Sequence, residues 1–221
     1  MKLIYTLAFS LSVFITQAQH FDIQYSMGTG GAFIVEDSQV DNLHYSAPIA
    51  TYIGFKFTPN ESFWNLKLGF QYMKTNVTGF NWEGGYNVQQ QYYDYLSSYY
   101  LPVYYYDREL DGEVGTYTAM ISIEHLKSDK KINLGFDVGM GLTLENFVKN
   151  RNYDTEGETN LYMSLKTSVI ASFRLGKKTR LQLEPVAFWT NPYNSFDGKK
   201  YQMANEDLSL LLHLGVTYQL F

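Results

Sequence analysis

From about residue 20 onward, apolar and polar side chains alternate along eight separate stretches of the chain. This is the period-2 pattern of strands with one dry and one wet face. One stretch runs without a break: Ile132, Leu134, Phe136, Val138, Met140, Leu142 and Leu144 alternate with Asn133, Gly135, Asp137, Gly139, Gly141, Thr143 and Glu145. That exceeds the usual five or six residues of a strand in a soluble domain. Another carries Leu208, Leu210, Leu212, Leu214, Val216, Tyr218 and Leu220 against Ser209, His213, Gly215, Thr217 and Gln219. A third sets Tyr45, Ala47, Ile49, Thr51, Ile53 and Phe55 outward, with Ser46, Ala50, Gly54 and Lys56 inward. Similar alternation begins at Phe21, Trp64, Thr116, Leu161 and Arg180, with Pro185 as one irregularity.

Short and long connections alternate between these stretches. Thr58–Ser62, Leu126–Lys131 and Gly176–Lys178 are tight polar turns, whereas Glu36–Asn42, Thr78–Asp111, Asn146–Asn160 and Asn191–Glu206 are long. An even number of strands, short turns on one side and long loops on the other describe a membrane barrel. The expected fold is therefore all-β, an eight-stranded antiparallel transmembrane up-and-down β-barrel. Eight strands leave an interior that side chains fill. The inward positions include Asp22, Lys56, Lys67, Glu124, Asp137, Arg174, Arg180 and Glu184. Four acids and four bases confined there are expected to pair, because an unpaired buried charge is costly. The expectation is an interior ion-pair plug and no open pore.

Composition adds an address. Lys2, the apolar run from Leu3 to Ile15 and the small residues around Thr16-Gln17-Ala18 read as a secretory signal, with cleavage near Ala18 or Gln19. Residues 1–19 are thus expected to be a signal peptide and residues 20–221 the barrel. There is no cysteine, hence no disulfide framework, thiolate metal site or lipid-bearing Cys. A net charge of -5 argues against nucleic acid as a partner, because neutralising its phosphates needs a basic face. Aromatic residues make up 17% of the chain. Outward Trp64, Tyr72, Tyr117, Trp189 and Tyr218 lie near strand ends, where a membrane interface takes Trp and Tyr.

The TQAQ cleavage region, the Gly-rich inward face at Gly135, Gly139 and Gly141, and the closing Gly215-Val216-Thr217-Tyr218-Gln219-Leu220-Phe221 carry a family resemblance. The chain resembles the small outer-membrane β-barrels abundant in Bacteroidota, which share the eight-strand plan of OmpA/OmpX-type barrels. The resemblance implies integral residence in a bacterial outer membrane with the long loops extracellular. It also implies contact with outer-membrane lipid and lipopolysaccharide, and no defined active site. The ending Tyr218, Leu220, Phe221 resembles the signal read by the barrel-assembly machinery, although Phe221 is out of phase with the apolar alternation.

Chemistry-bearing candidates are few. The connection at about 78–112 is dense in tyrosine: Tyr86, Tyr92, Tyr93, Tyr95, Tyr99, Tyr100, Tyr104, Tyr105 and Tyr106. Tyrosine offers a large, rigid contact surface at small entropic cost, so a partner-contact loop is one reading. The other is a hairpin that continues beyond the membrane and packs its tyrosines on one another. His20, His44, His125 and His213 share no ligand spacing, so no metal site is expected. His44-Tyr45-Ser46 is similar to the motif of the small lipid A deacylases, but Glu61, the carboxylate at comparable spacing, falls at the opposite strand end. Glu124, Asp137 and Glu184 face lysines and arginines and read as ion-pair partners in preference to an acid/base set.

These readings point to a non-enzymatic barrel without cofactors. It is expected to serve as a structural or accessory subunit of an outer-membrane protein complex, with secretion or barrel-assembly machinery as candidate hosts and other envelope proteins as partners. A surface adhesin or glycan-binding barrel is the alternative, and a lipid A-modifying enzyme the third reading.

Overall fold

The computed structural model describes residues 18–34, 40–59, 64–81, 108–127, 130–148, 159–192 and 207–220. These form nine strand segments: β1 (Ala18–Ile34), β2 (Val40–Tyr45), β3 (Ile49–Pro59), β4 (Trp64–Asn81), β5 (Arg108–His125), β6 (Ile132–Val148), β7 (Thr159–Arg174), β8 (Thr179–Thr190) and β9 (Asp207–Gln219). Every pairing is antiparallel, and eight segments close on themselves. The wall runs β1-β3-β4-β5-β6-β7-β8-β9 and returns to β1. The closing seam pairs Asp22 with Gln219 through to Ile34 with Asp207. The Leu220 N–H adds one bond, donating to the Phe21 carbonyl at 2.8 Å.

Alternation decides which face each residue takes. On β6 the residues from Ile132 to Leu144 on the apolar phase are 39–74% exposed, while Asn133, Asp137 and Thr143 are buried. β9 repeats this with Leu210, Leu212, Leu214, Val216 and Tyr218 outside, against Ser209, His213 and Thr217 inside. A continuous outward belt of Leu, Ile, Val, Phe and Met is untenable in water and is the expected face toward hydrocarbon. Aromatic clusters bound the belt. Trp64, His125 and Phe136 pack on one rung at the short-turn end, with ring centroids 4.7–5.8 Å apart. Tyr72 and Tyr117 meet at 4.9 Å toward the other end. Just past them an outward ion pair, Lys74–Glu113 at 2.6 Å, begins the polar region.

Trp64 to Tyr72 is nine residues, about what a tilted strand needs to cross a bilayer. β4 nevertheless continues to Asn81, and its ladder with β5 stays in one register out to Asn81↔Arg108. This corrects the boundaries of the long connection expected at about 78–112, since 78–81 and 108–111 are paired strand. β2 joins the same extension. It pairs with β4 from Tyr45↔Val77 to Val40↔Asn81, beginning one register step away from β3 and shifting again between Asp41 and His44. The step falls at Ser46-Ala47-Pro48, where Pro48 has no N–H for the ladder. Ser46 bridges the gap: its N–H donates to the Asn76 carbonyl at 2.9 Å, and its Oγ accepts the Asn76 N–H at 3.0 Å. Ser46 was expected to face inward and is exposed instead, because the bulge interrupts the alternation.

The β7–β8 ladder has its own gap between Ser168↔Val186 and Ala171↔Leu183. Pro185 lies within it, outward-facing and without an N–H to donate.

Candidate functional site

The barrel interior concentrates the ionisable side chains. Asp22 (β1) pairs with Lys56 (β3) at 3.1 Å, and Lys56 with Glu124 (β5) at 3.3 Å. Glu124 pairs with Lys67 (β4) at 3.2 Å, and Lys67 with Asp137 (β6) at 3.1 Å. Asp137 pairs with Lys166 (β7) at 3.0 Å, and Lys166 with Glu184 (β8) at 2.7 Å. The result is one chain of alternating charge through seven side chains, one from each strand of the wall except β9. All but Asp22, which sits at the short-turn mouth, are nearly or fully buried. Neutral groups complete it: Gln24 and Ser168 donate to Glu184 at 3.1 and 2.7 Å, and Asn65 donates to Glu124 at 3.0 Å.

Of the eight charges expected inside, six join this chain: Asp22, Lys56, Lys67, Glu124, Asp137 and Glu184. Arg180 is buried with its guanidinium 3.4 Å from the Ser172 hydroxyl. Arg174 is a correction. It is the last residue of β7 and is exposed, at the strand end where the wall gives way to the turn. The basic residue that the chain needs is Lys166, on the same inward phase as Ser164 and Ser168. The sequence shows that phase; it does not show that Lys166 stands level with both Asp137 and Glu184.

Tyr52 was also missed. It lies on the inward phase between Ala50 and Gly54 and is 1% exposed. Its ring caps the lysines, with Lys166 Nζ 4.9 Å and Lys67 Nζ 5.7 Å from the ring centroid, a cation–π arrangement. The space for that ring comes from the paired glycines Gly54 and Gly69. A Cβ at either position would lie 2.5–2.6 Å from the Tyr52 hydroxyl oxygen. Toward the long-connection end, Tyr52 continues into a dry layer of Ala50, Met73, Met120, Val186, Phe188 and Leu211. The interior thus has two levels, charged below and apolar above.

Chemically the arrangement holds charge in place. Glu124, Asp137 and Glu184 each face lysine ammonium groups, which leaves them poor candidates for a paired acid and base. Ser26 lies 3.1 Å from His213 Nδ1, beside the buried Glu184, all within the packed interior. Among the described residues, no three His, Cys, Asp or Glu side chains form a group that could hold a metal ion.

No protein-family model matches the sequence, and no curated protein matches it. Solved structures do. Neisserial surface protein A, NspA, superposes with a TM-score of 0.53 at 11% identity, over 90% of this chain and 96% of that one. The chain has the eight-stranded barrel fold of outer-membrane proteins. Two further barrels align at 11% identity over 90% of this chain. One is a major outer membrane protein of Thermus thermophilus, with a TM-score of 0.48 and 99% of that chain covered. The other is Ail, the attachment invasion locus protein of Yersinia pestis in complex with the heparin analogue sucrose octasulfate, with a TM-score of 0.47 and 96% covered.

The remaining sequence candidates are divided. Ser46 is placed, and its hydroxyl is committed to Asn76 and Thr75 in the bulge. Tyr218 and Leu220 lie at the end of β9, both exposed. Residues 1–17, the side chain of His44, the tyrosines from Tyr86 to Tyr106 and Phe221 lie outside the described residues.

Proposed function

We propose that this chain is a non-enzymatic, non-conducting barrel of the bacterial outer membrane, exported by a signal peptide over residues 1–19. It acts as an accessory subunit of a larger envelope assembly, such as secretion or barrel-assembly machinery. The observation that carries the reading is the contrast between the two ends of β4 and β5. Inside the belt these strands enclose an ion-paired interior; beyond it they continue as a ribbon with β2. A barrel filled with paired charge offers no route for a solute, so its contribution lies on its surfaces. The ribbon leads into residues 82–107, which carry the Tyr-dense stretch.

With the long connections outside the cell, this ribbon reaches partners at the outer surface, and the apolar belt meets lipid and the walls of neighbouring membrane proteins. A lipid-modifying role for His44 and Ser46 is disfavoured because the Ser46 hydroxyl already serves the bulge. The test is affinity isolation from native membranes in mild detergent, using the full chain and a variant with 82–107 replaced by a two-residue turn. Defined envelope proteins are expected with the full chain and not with the variant. Recovery of the barrel alone in both cases would overturn the reading.

A further inference from the structure

Two of the three short turns carry a concentrated positive charge, while the third, 58–62, holds one acid, Glu61, and no base. Residues 127–131 and 174–178 hold Lys127, Lys130, Lys131, Arg174, Lys177 and Lys178 against one acid, Asp129. The stretches in and around the long connections, 35–48, 74–115, 145–160 and 191–207, are the inverse in sequence, with sixteen acids and six bases. The net charge of -5 for the whole chain conceals this polarity.

The two basic turns form one arc of the rim. The Arg174 N–H donates to the Lys131 carbonyl at 2.8 Å, which joins the turn before β6 to the end of β7. Lys178 continues the arc: its carbonyl accepts the Gln219 N–H at 2.9 Å and its ammonium reaches the Leu220 carbonyl at 3.1 Å. Lys127, Lys130, Lys131, Arg174, Lys177 and Lys178 are all exposed.

Depth identifies the ligand. Lys131 directly precedes Ile132, which is 55% exposed on the lipid-facing phase, with Leu134 two residues on at 74%. Lys177 and Lys178 follow Leu175, an outward leucine that is 65% exposed in the turn itself. Cations one to three residues beyond the last hydrocarbon-facing side chain sit at headgroup height, and lysine stems reach along that boundary. The negative group at that height is a lipid phosphate.

We propose that this rim is a binding site for the phosphate headgroups of anionic phospholipids in the leaflet at the short-turn end, with Lys130, Lys131, Lys177 and Lys178 as the contacting cations. The inference rests on the membrane-spanning reading with the long connections outside. The test reconstitutes the folded barrel in vesicles of equimolar phosphatidylglycerol and phosphatidylcholine, extracts it in mild detergent and counts retained lipids by native mass spectrometry. Phosphatidylglycerol is expected to dominate. The preference should drop at least roughly fivefold, one cation's worth near an anionic surface, when all four lysines are changed to Gln. It should persist when they are changed to Arg, and persist in Lys199→Gln/Lys200→Gln, between β8 and β9 in sequence. Equal retention of the two lipids by the native chain, or an unchanged preference in the Gln variant, would overturn the inference. So would rim lysines that bind an acidic envelope protein without selecting lipid. Failure to insert into any bilayer would instead sink the membrane reading itself.

Discussion

Lys67 and Arg174 occupy the same phase of the alternation, and the barrel treats them oppositely. Lys67 is fully buried between Glu124 and Asp137, so removing its charge strands two carboxylates in the interior. Breaking a buried pair in this way costs about 3–5 kcal/mol. Lys67→Met is therefore expected to lower the unfolding free energy of the reconstituted barrel, read from urea titration, by an amount in that range. Arg174→Gln, at an exposed strand end, should change stability by no more than about 1 kcal/mol. Equal effects would contradict the placement of the two residues. Both were legible as inward residues, because period 2 fixes the face. Height along the strand was not legible, because it depends on stagger between strands. That is why Arg174 stood in for Lys166, and why Tyr52, polar enough to pass as lumen lining, went unremarked as the cap over the lysines.

At the scale of elements, the eight staves were readable wherever lipid imposes an apolar phase. Where strands leave the bilayer that constraint ends, and Thr78–Asn81 and Arg108–Asp111 carry no apolar alternation to mark them as paired. The break at Ser46-Ala47-Pro48 was hidden for a related reason: a bulge shifts register by one and reverses which phase faces in. The continuous ladder to Asn81↔Arg108 has a direct consequence. Replacing residues 82–107 by Asn-Gly, which suits a two-residue hairpin, should leave a barrel with unchanged heat-dependent gel mobility. Loss of the fast-migrating folded form would show that the Tyr-dense segment is needed to build the wall.

For the whole molecule, closure, belt and interior are one design. The chain closes β1 on β9, faces hydrocarbon with the apolar phase and fills its interior with the other. Fold class followed from the alternation and the loop asymmetry, since both reflect the bilayer acting on every strand. Function did not, because an interior spent on ion pairs leaves no catalytic signature and the surface that would meet partners is written in residue types that serve many ends. What the structure adds is the vertical order of the interior: a lysine–carboxylate chain from the short-turn mouth, capped by Tyr52 beneath a dry layer of Met73, Met120, Phe188 and Leu211. Electrical recording of the purified barrel in a planar bilayer tests that account most directly. The expected trace is flat, with no steady conductance above the bare membrane, and a stable ion-conducting open state in the native chain would contradict it.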